Sequence, residues 1–270
     1  MEYKIGGHLP DPDNDTYWGF EAQLRPYLTF GAGDIDLRPY ASARHNQGQT
    51  GSCVAQAVVK ALENLERQKL CHQQGIAPEA LPDEAHKNLS VLALYYLCRE
   101  KMQPSRVHED SGTYIYLACD CLRLFGVCTE GTWRFDPNKL FEPPSIMAIR
   151  EAYDHKISAY FRITNTGNDR VNSVLDALRG HHPVVYGTEV GDNWFHYKAN
   201  DVLQIPASAN GGHATHLVGW DEHRGVFIGE NSWGTTWGND GYYLIAPEVI
   251  ADPSSRDFWV ITGSWEEVHR

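Results

Sequence analysis

The chain has 270 residues, of which 35 are acidic and 23 basic, so its formal net charge is −12 at pH 7. This length allows one large domain or two small ones, and the hydrophobic content of 42% is typical of a globular protein. The acidic balance disfavours nucleic acid and anionic membrane surfaces as partners, and no run of about 18 apolar residues predicts a membrane span. Six cysteines are too few for a disulfide scaffold.

Residues 1–33 are rich in proline, aspartate, glycine and aromatic residues and show no helical period. We expect them to form an N-terminal arm that lies on another part of the protein, because large aromatic side chains are unfavourable in free solvent. These aromatic residues are Tyr17, Trp18, Phe20, Tyr27 and Phe30. The alternative is a partly ordered tail.

The strongest helix signal begins after Ser52, where apolar residues from Val54 to Leu65 recur at helical spacing opposite a charged face. Ser52 is the predicted N-cap and Gly75 the predicted stop. Further helices are predicted near residues 89–102, 113–125, 145–154 and 168–180. After Pro183 the segments become short and rich in β-branched and aromatic residues, which predicts antiparallel strands. Helices followed by strands indicate an α+β fold with two lobes.

Cys53 lies at the first turn of the strongest predicted helix. Unpaired backbone N–H groups and the positive end of the helix dipole favour a thiolate at this position. Gln47, six residues earlier, can place an amide donor beside the backbone N–H of Cys53 and so complete an oxyanion hole for acyl transfer. Taken alone, Cys53 is equally well explained as a buried core thiol.

Two later segments offer partners for a thiol nucleophile. His213 stands at the start of an apolar strand in GGHATHLVGWD, and Asn231 precedes a Trp-Gly pair in ENSWGTTWGNDGY. A cysteine nucleophile requires a base, and the base requires an acceptor that orients its other nitrogen. Cys53, His213 and Asn231 provide these groups, each within a glycine-bounded segment.

Over roughly residues 34–245 the sequence resembles the papain-like cysteine peptidases of the C1 family. The blocks QGQTGSC, GGHATHLVGWD and NSWGTTWGNDGY are similar to its Gln-to-Cys, His and Asn blocks, and IDLRPY resembles its mature start. The resemblance implies a helical left lobe, here residues 34–135, and an antiparallel β-barrel-like right lobe, here residues 136–270, with the active site in the cleft between them. It also implies hydrolysis of peptide bonds through a thioester acyl-enzyme.

The same resemblance implies a role for each matching side chain. Cys53 would be the nucleophile, His213 the general base and acid, and Asn231 the group that orients the imidazole. Gln47 would donate into the oxyanion hole, and Trp233 would shield the His213–Asn231 hydrogen bond from water.

Three glycines and Trp233 are the expected substrate-binding residues. Gly112 lies where the family has a strand-like edge for the substrate backbone, and a helix N-cap at Ser111 is a compatible alternative. Gly187 belongs to a segment expected to approach the main specificity pocket, with the neighbouring Tyr186 pointing either into or away from it. Gly212, directly before the histidine, completes the set.

Several positions depart from the family pattern. Thr50 removes the cysteine of a disulfide in secreted members, and Val54 removes an aromatic neighbour of the nucleophile. His213 and Asn231 follow Cys53 at more than the usual distance of about 130–150 residues, so we expect an insertion between residues 75 and 110. These departures favour a bacterial-type branch of the family.

We expect no metal and no cofactor. Cys119 and Cys121 point to different faces of a helix, which makes zinc binding with Cys98 and Cys128 unfavourable. The expected partners are a polypeptide substrate and the N-terminal arm, which would cover the cleft of a monomer, with no nucleic acid and no membrane.

Two other functions stay open on the sequence. One is an acyltransferase or isopeptidase that uses the same triad, and the other is an inactive peptide-binding module on this fold. No basic start followed by an apolar run indicates a secretory signal, so we expect a cytoplasmic protein or one delivered by a signal-peptide-independent secretion system.

Overall fold

A computed structural model describes residues 3–13, 16–28, 31, 33–82 and 85–263 of the chain. Two hydrophobic cores organise it, one among helices and one around a β-sheet. The α+β architecture predicted from the sequence is confirmed. In the part of the chain that the structure describes, no helix is both long and apolar enough to cross a membrane.

The helical core is built on α2 (Cys53–Gln74), which packs against α3 (Val91–Met102) and α4 (Ile115–Leu124). Helix α2 ends as predicted at Gly75, whose φ of 63° is a left-handed conformation that favours glycine. Ser52 occupies the N-cap position, but its hydroxyl bonds to the side chains of Thr50 and Gln56 instead of capping the helix.

Within the residues that the structure describes, eight strands form one sheet. They are β1 (Ile35–Asp36), β2 (Ile157–Arg162), β3 (Val184–Val190), β4 (Val202–Leu203), β5 (Gly211–Asp221), β6 (Val226–Glu230), β7 (Tyr242–Ile245) and β8 (Ser255–Gly263). The sheet order is β2-β8-β3-β5-β6-β7-β4, and β1 pairs with β5.

The sheet differs in two respects from the antiparallel β-barrel-like lobe that the resemblance implied. Its described strands end at β2 on one side and at β4 on the other without closing, and β4 runs parallel to β7. In addition, β1 and β2 precede the region predicted to hold the strands. Strand β2 shows ordinary alternating burial, but it is isolated between helices, and its short pattern gave no strand signal by itself.

Helix α5 (Ile146–Glu151) places Ala148 in the helical core. Helices α6 (Gly167–Arg179), α7 (Asp192–Phe195) and α8 (Pro247–Ala251) lie between strands of the sheet in the chain. Helix α6 packs against α8, β3 and β5, so the sheet core is closed on this side.

The N-terminal segment has two structurally different parts. Residues 16–28 contain the short helix α1 (Phe20–Gln23) and a 3-10 turn over Arg25–Tyr27, and the Phe20 side chain is buried in the sheet core. Residues 3–13 have no helix and run across the boundary between the two cores. Of the other aromatic residues expected in the arm, Tyr27 is exposed and Phe30 lies outside the described residues.

Candidate active site

Cys53 is the first residue of α2 and is fully buried. Burial raises the pKa of its thiol to about 12, although the backbone N–H groups of Ala214, Val54 and Cys53 itself act in the opposite direction. The Ala214 contact places the sulfur beside β5, directly after His213. The glycine-containing segment before the cysteine is held in place by Asp110. The Asp110 carboxylate accepts a hydrogen bond from the backbone N–H of Gly51 at 2.9 Å.

His213 and Asn231 are joined across neighbouring segments of the sheet. Nε2 of His213 lies 2.8 Å from Oδ1 of Asn231, a geometry in which the ring nitrogen donates and the amide oxygen accepts. Within the described residues, Nδ1 of His213 has no hydrogen-bond partner. Burial lowers the pKa of this imidazole to about 4. A neutral ring with a free acceptor nitrogen is suited to take a proton from a thiol.

Trp233 packs against the histidine. Its ring centroid lies 5.0 Å from that of His213, and its side chain is buried. Removing water from this region lowers the local dielectric and strengthens the His213–Asn231 hydrogen bond.

Gln47 is buried and is oriented from both ends of its amide. Its Oε1 accepts a 2.6 Å hydrogen bond from the hydroxyl of Ser232, while its Nε2 donates to the carbonyl of Thr50 at 2.9 Å and to that of Lys4 at 3.2 Å. The Lys4 carbonyl belongs to the arm, so the Gln47 amide already binds a carbonyl oxygen in the cleft. Ser232 was not identified from the sequence, although it directly follows Asn231.

The first residues of the arm lie on the nucleophile. A methyl group added at Gly7 would be 2.9 Å from Sγ of Cys53, closer than non-bonded atoms pack, so the Gly7 backbone covers the sulfur. The N–H of Gly6 donates to the carbonyl of Gly212 at 2.7 Å. The Tyr3 ring stacks on Trp233 with centroids 4.5 Å apart.

Gly112 and Thr113 form the opposite wall of the cleft. The arm pairs with this wall through two 3.0 Å backbone hydrogen bonds, from the N–H of Thr113 to Gly7 and from the N–H of Leu9 to Thr113. Gly112 has φ of +74°, and a side chain there would lie 2.8 Å from the Gly7 carbonyl carbon. Ser111 does not cap α4, because Tyr114 holds the N-cap position.

Gly187 also faces the arm, whereas Tyr186 points the other way. A Cβ at Gly187 would lie 2.5 Å from Nδ1 of His8, so the imidazole rests on the bare backbone of β3. Tyr186 is fully buried, stacks on Phe258, and has its hydroxyl 3.1 Å from that of Tyr243.

The four expected substrate-binding residues therefore all contact the arm. Sequence reasoning did not identify the polar residues that hold the arm in place. Lys4 pairs with Asp110, and His8 bonds to Asp257 at 3.1 Å. No local pattern marks these pairs, since His8 and Asp257 are 249 residues apart in the chain.

All six cysteines are free and buried. Thr50, at the position of the missing disulfide cysteine, instead bonds through its hydroxyl to the Gln47 carbonyl at 2.8 Å. This hydrogen bond supports the loop that carries Gln47.

Comparisons with known proteins agree with the fold. The sequence model of the family described as papain family cysteine protease matches residues 111–253. A peptidase C1-like protein of Acanthamoeba polyphaga mimivirus is 32% identical over 253 residues, covering 89% of this chain and 77% of the viral protein. A cysteine protease of Blomia tropicalis is 28% identical over 239 residues, covering 85% of this chain and 66% of the relative.

Solved structures show the same architecture. Xylellain, a cysteine protease from Xylella fastidiosa, matches with a TM-score of 0.78 and 26% identity, covering 97% of this chain and 98% of that chain. Digestive procathepsin L2 of Tenebrio molitor matches with a TM-score of 0.71 and 19% identity, covering 96% and 78%, which supports the fold alone.

The two-lobed fold and the matching family model together define the class of this protein. The chain belongs to the papain family of cysteine proteases, as its sequence blocks indicated, and is a cysteine-type peptidase. Its family implies a polypeptide substrate.

Proposed function

We propose that this protein hydrolyses peptide bonds through a thioester acyl-enzyme formed on Cys53. The observation that carries the proposal is the buried hydrogen bond between His213 and Asn231, which leaves Nδ1 of the imidazole free to accept the thiol proton. Cys53, at the start of α2, then supplies the nucleophile and, from its own backbone N–H, one oxyanion donor.

The reaction has two halves with balanced proton transfers. The Cys53 thiol gives its proton to Nδ1 of His213, and the thiolate attacks the substrate carbonyl carbon. Gln47 Nε2 and the Cys53 backbone N–H stabilise the oxyanion until the C–N bond breaks and the leaving amine takes the proton from His213. His213 then takes a proton from water, and the resulting hydroxide attacks the thioester, releasing the carboxylic acid and restoring the thiol.

Covalent labelling tests this assignment. An epoxysuccinyl peptide inhibitor should attach to the intact chain at Cys53, and Cys53→Ala should abolish labelling and peptide hydrolysis. Cys71→Ala is the matched control, because Cys71 is also a buried free thiol but lies near the other end of α2. Equal labelling of the wild type and Cys53→Ala would overturn the proposal, and release of amide products with added amines would assign a transferase instead.

We also propose that the arm regulates this site. Residues 3–9 occupy the places where a substrate backbone would have to meet Cys53, Gly112 and Gly212. The arm carries a glycine at the point where it crosses the sulfur, so no side chain holds it away from the nucleophile. Peptide substrate and the arm would therefore compete for one cleft, and the enzyme with a docked arm would be inactive.

A further inference from the structure

One peptide group connects the side chain of Gln47 to the carboxylate of Asp110. The peptide between Thr50 and Gly51 lies just before Cys53 in the chain. Its carbonyl accepts from Nε2 of Gln47 at 2.9 Å, and its N–H lies 2.9 Å from both oxygens of Asp110. Because a trans peptide group is planar, the direction of its N–H fixes the direction of its carbonyl. A movement of Asp110 would therefore also move the oxygen that orients the Gln47 amide.

The contacts of the Gln47 amide direct one of its N–H bonds into the cleft. The amide nitrogen carries two hydrogens and has two acceptors, the carbonyl of Thr50 in the protein body and the carbonyl of Lys4 in the arm. The hydroxyl of Ser232 donates to the amide oxygen at 2.6 Å. Since the amide is planar, Thr50 and Ser232 together fix the N–H that faces the arm. The same N–H would face the oxyanion of a bound substrate.

Asp110 is itself held by Tyr95, which is fully buried in the helical core. The Tyr95 hydroxyl donates to Oδ1 of Asp110 at 2.7 Å and accepts from the backbone N–H of Gly112 at 2.9 Å. Burial and the neighbouring carboxylate raise the pKa of the Tyr95 phenol, so it keeps the proton that it donates. Tyr95 and Asp110 thus join the segment before Cys53 to the wall of the cleft that carries Gly112.

We propose that Asp110 and Tyr95 are positioning residues for peptide hydrolysis, because they orient the oxyanion donor Gln47 through the connecting peptide group. This inference rests on the proposed function. A carboxylate holds an N–H group more strongly than a neutral acceptor does. All six cysteines are free, so hydrogen bonds instead of a disulfide join the two segments. Oxyanion donors are effective when they are oriented before the charge develops.

Release of the arm leaves these contacts in place. Lys4 is the arm residue that reaches them, with its ammonium paired with Asp110 and its carbonyl bound to Gln47. The bonds from Gly51 to Asp110 and from Gln47 to Thr50 lie within the protein body. The Gln47 donor would therefore keep its orientation in the open cleft, where a substrate carbonyl replaces that of Lys4.

The test is steady-state hydrolysis of a fluorogenic peptide by the intact chain. Since substrate and arm would compete for one cleft, kcat at saturating substrate does not depend on arm docking. Asp110→Asn should lower kcat about tenfold, because the amide replaces one acceptor oxygen with a donor and removes the charge. In the Gln47→Ala background the same substitution should lower kcat less than about threefold, because no amide remains to be oriented. A general loss of structure would lower kcat equally in both backgrounds.

Glu109→Gln is the matched control, because it neutralises the adjacent carboxylate, which pairs with Arg106 at the surface, and should keep wild-type kcat. Lys4→Ala removes the arm's pair with Asp110 and should lower KM without changing kcat. An unchanged kcat in Asp110→Asn, or an equal loss with and without Gln47, would overturn the inference and leave the proposed peptidase function standing. No hydrolysis by the wild type and Lys4→Ala would instead contradict the proposed function, and the inference with it.

Tyr95→Phe gives a second measurement that leaves the carboxylate in place. It keeps the ring in the helical core but removes the hydroxyl that binds Asp110 and Gly112, so it should lower kcat about three- to tenfold. Tyr96→Phe, at the next residue of α3, points to a different face of the helix and should keep wild-type kcat. Equal kcat values for the two variants would contradict the inference, even if Asp110→Asn fails to fold.

Discussion

With the arm in the cleft, burial raises the pKa of the Cys53 thiol to about 12 and lowers that of the His213 imidazole to about 4. At neutral pH the thiol therefore keeps its proton and the imidazole stays uncharged. Burial penalises a thiolate and an imidazolium more than their neutral forms, since charged groups lose more hydration. Opening the cleft to solvent reduces this penalty, so arm release would also promote ionisation of the nucleophile.

The hydrogen bond between His213 and Asn231 leads to a prediction for a single residue. Asn231→Ala should lower kcat about 10- to 100-fold, because the imidazolium formed during the reaction loses an acceptor that also orients the ring. Steady-state hydrolysis of a fluorogenic peptide measures the effect. Asn210→Ala removes an exposed amide outside the site and should keep wild-type kcat. An unchanged kcat in Asn231→Ala would exclude the proposed orienting role.

At the scale of the element, the contacts of the arm with the cleft are spread along its length. Lys4, Gly6 and Leu9 all bond to the walls of the cleft, and Tyr3 stacks on Trp233. We therefore expect the docked state to depend on the sum of these contacts. Small changes at the closest approach should therefore shift the balance between docked and released arm.

Gly7 is the arm residue that covers the sulfur of Cys53. Gly7→Ala should raise the peptidase activity of the intact chain about tenfold, because the added methyl group would lie 2.9 Å from Sγ of Cys53 and overpack the docked arm. Initial rates at subsaturating substrate measure the change. Gly31→Ala is the matched control, since its Cβ would meet nothing within 4 Å. A Gly7→Ala enzyme no faster than Gly31→Ala would show that the arm does not limit activity.

Asp11 should make arm docking dependent on pH. Its pKa is raised to about 7, first by burial and then by the nearby carboxylate of Asp257, although Trp259 donates to it at 2.7 Å and Arg162 lies nearby. A released arm would return Asp11 to the ordinary range near 4. Docking therefore takes up a proton, is strongest in acid, and weakens as the pH rises from about 4 to about 7.

The measurement is the rate at which iodoacetamide modifies Cys53 in the wild type and in Asp11→Asn. Asparagine resembles the protonated acid, so the reaction rates of the two proteins should differ least near pH 4, the lower end of this range. Near pH 7.5 the wild type should react at least about tenfold faster. Asp13→Asn changes an exposed carboxylate and should follow the wild type. Parallel profiles of the wild type and Asp11→Asn would refute the linkage.

At the scale of the whole molecule, the N-terminal segment combines a part that lies in the cleft with a part that is anchored in the sheet core. Residues 3–13 contact the cleft mainly through backbone hydrogen bonds and a few polar pairs. Phe20, by contrast, is fully buried in the sheet core, and Gly19 forms a bridge with Arg162 of β2. Release of the first part should therefore leave the second part in place.

Phe20→Ala should lower the free energy of unfolding by about 3–5 kcal/mol, the usual effect of removing a buried phenylalanine side chain. Urea unfolding followed by tryptophan fluorescence measures it. Phe125→Ala, at a position 49% exposed, should change stability by less than about 1 kcal/mol. Equal stability of the two variants would mean that residues 16–28 do not belong to the folded body.

Local patterns in the sequence identified main structural elements and the candidate catalytic residues of this protein. The helical period and Gly75 identified α2, the β-branched run after Pro183 identified β3, and three glycine-bounded blocks identified Cys53, His213 and Asn231. These signals act over a few residues, because caps, turns and alternation are short-range constraints on the backbone. The family and the α+β fold could therefore be inferred from the sequence alone.

Only the tertiary structure decided which distant residues meet. Ser232 reaches Gln47, Gly7 covers Cys53, and His8 bonds to Asp257 because sheet register and a bulge in β8 bring segments together that are up to 249 residues apart. The direction of Tyr186 into the core was settled in the same way. A single sequence contains no local signal for such contacts, since they depend on how the two cores pack and on where each strand shifts its register.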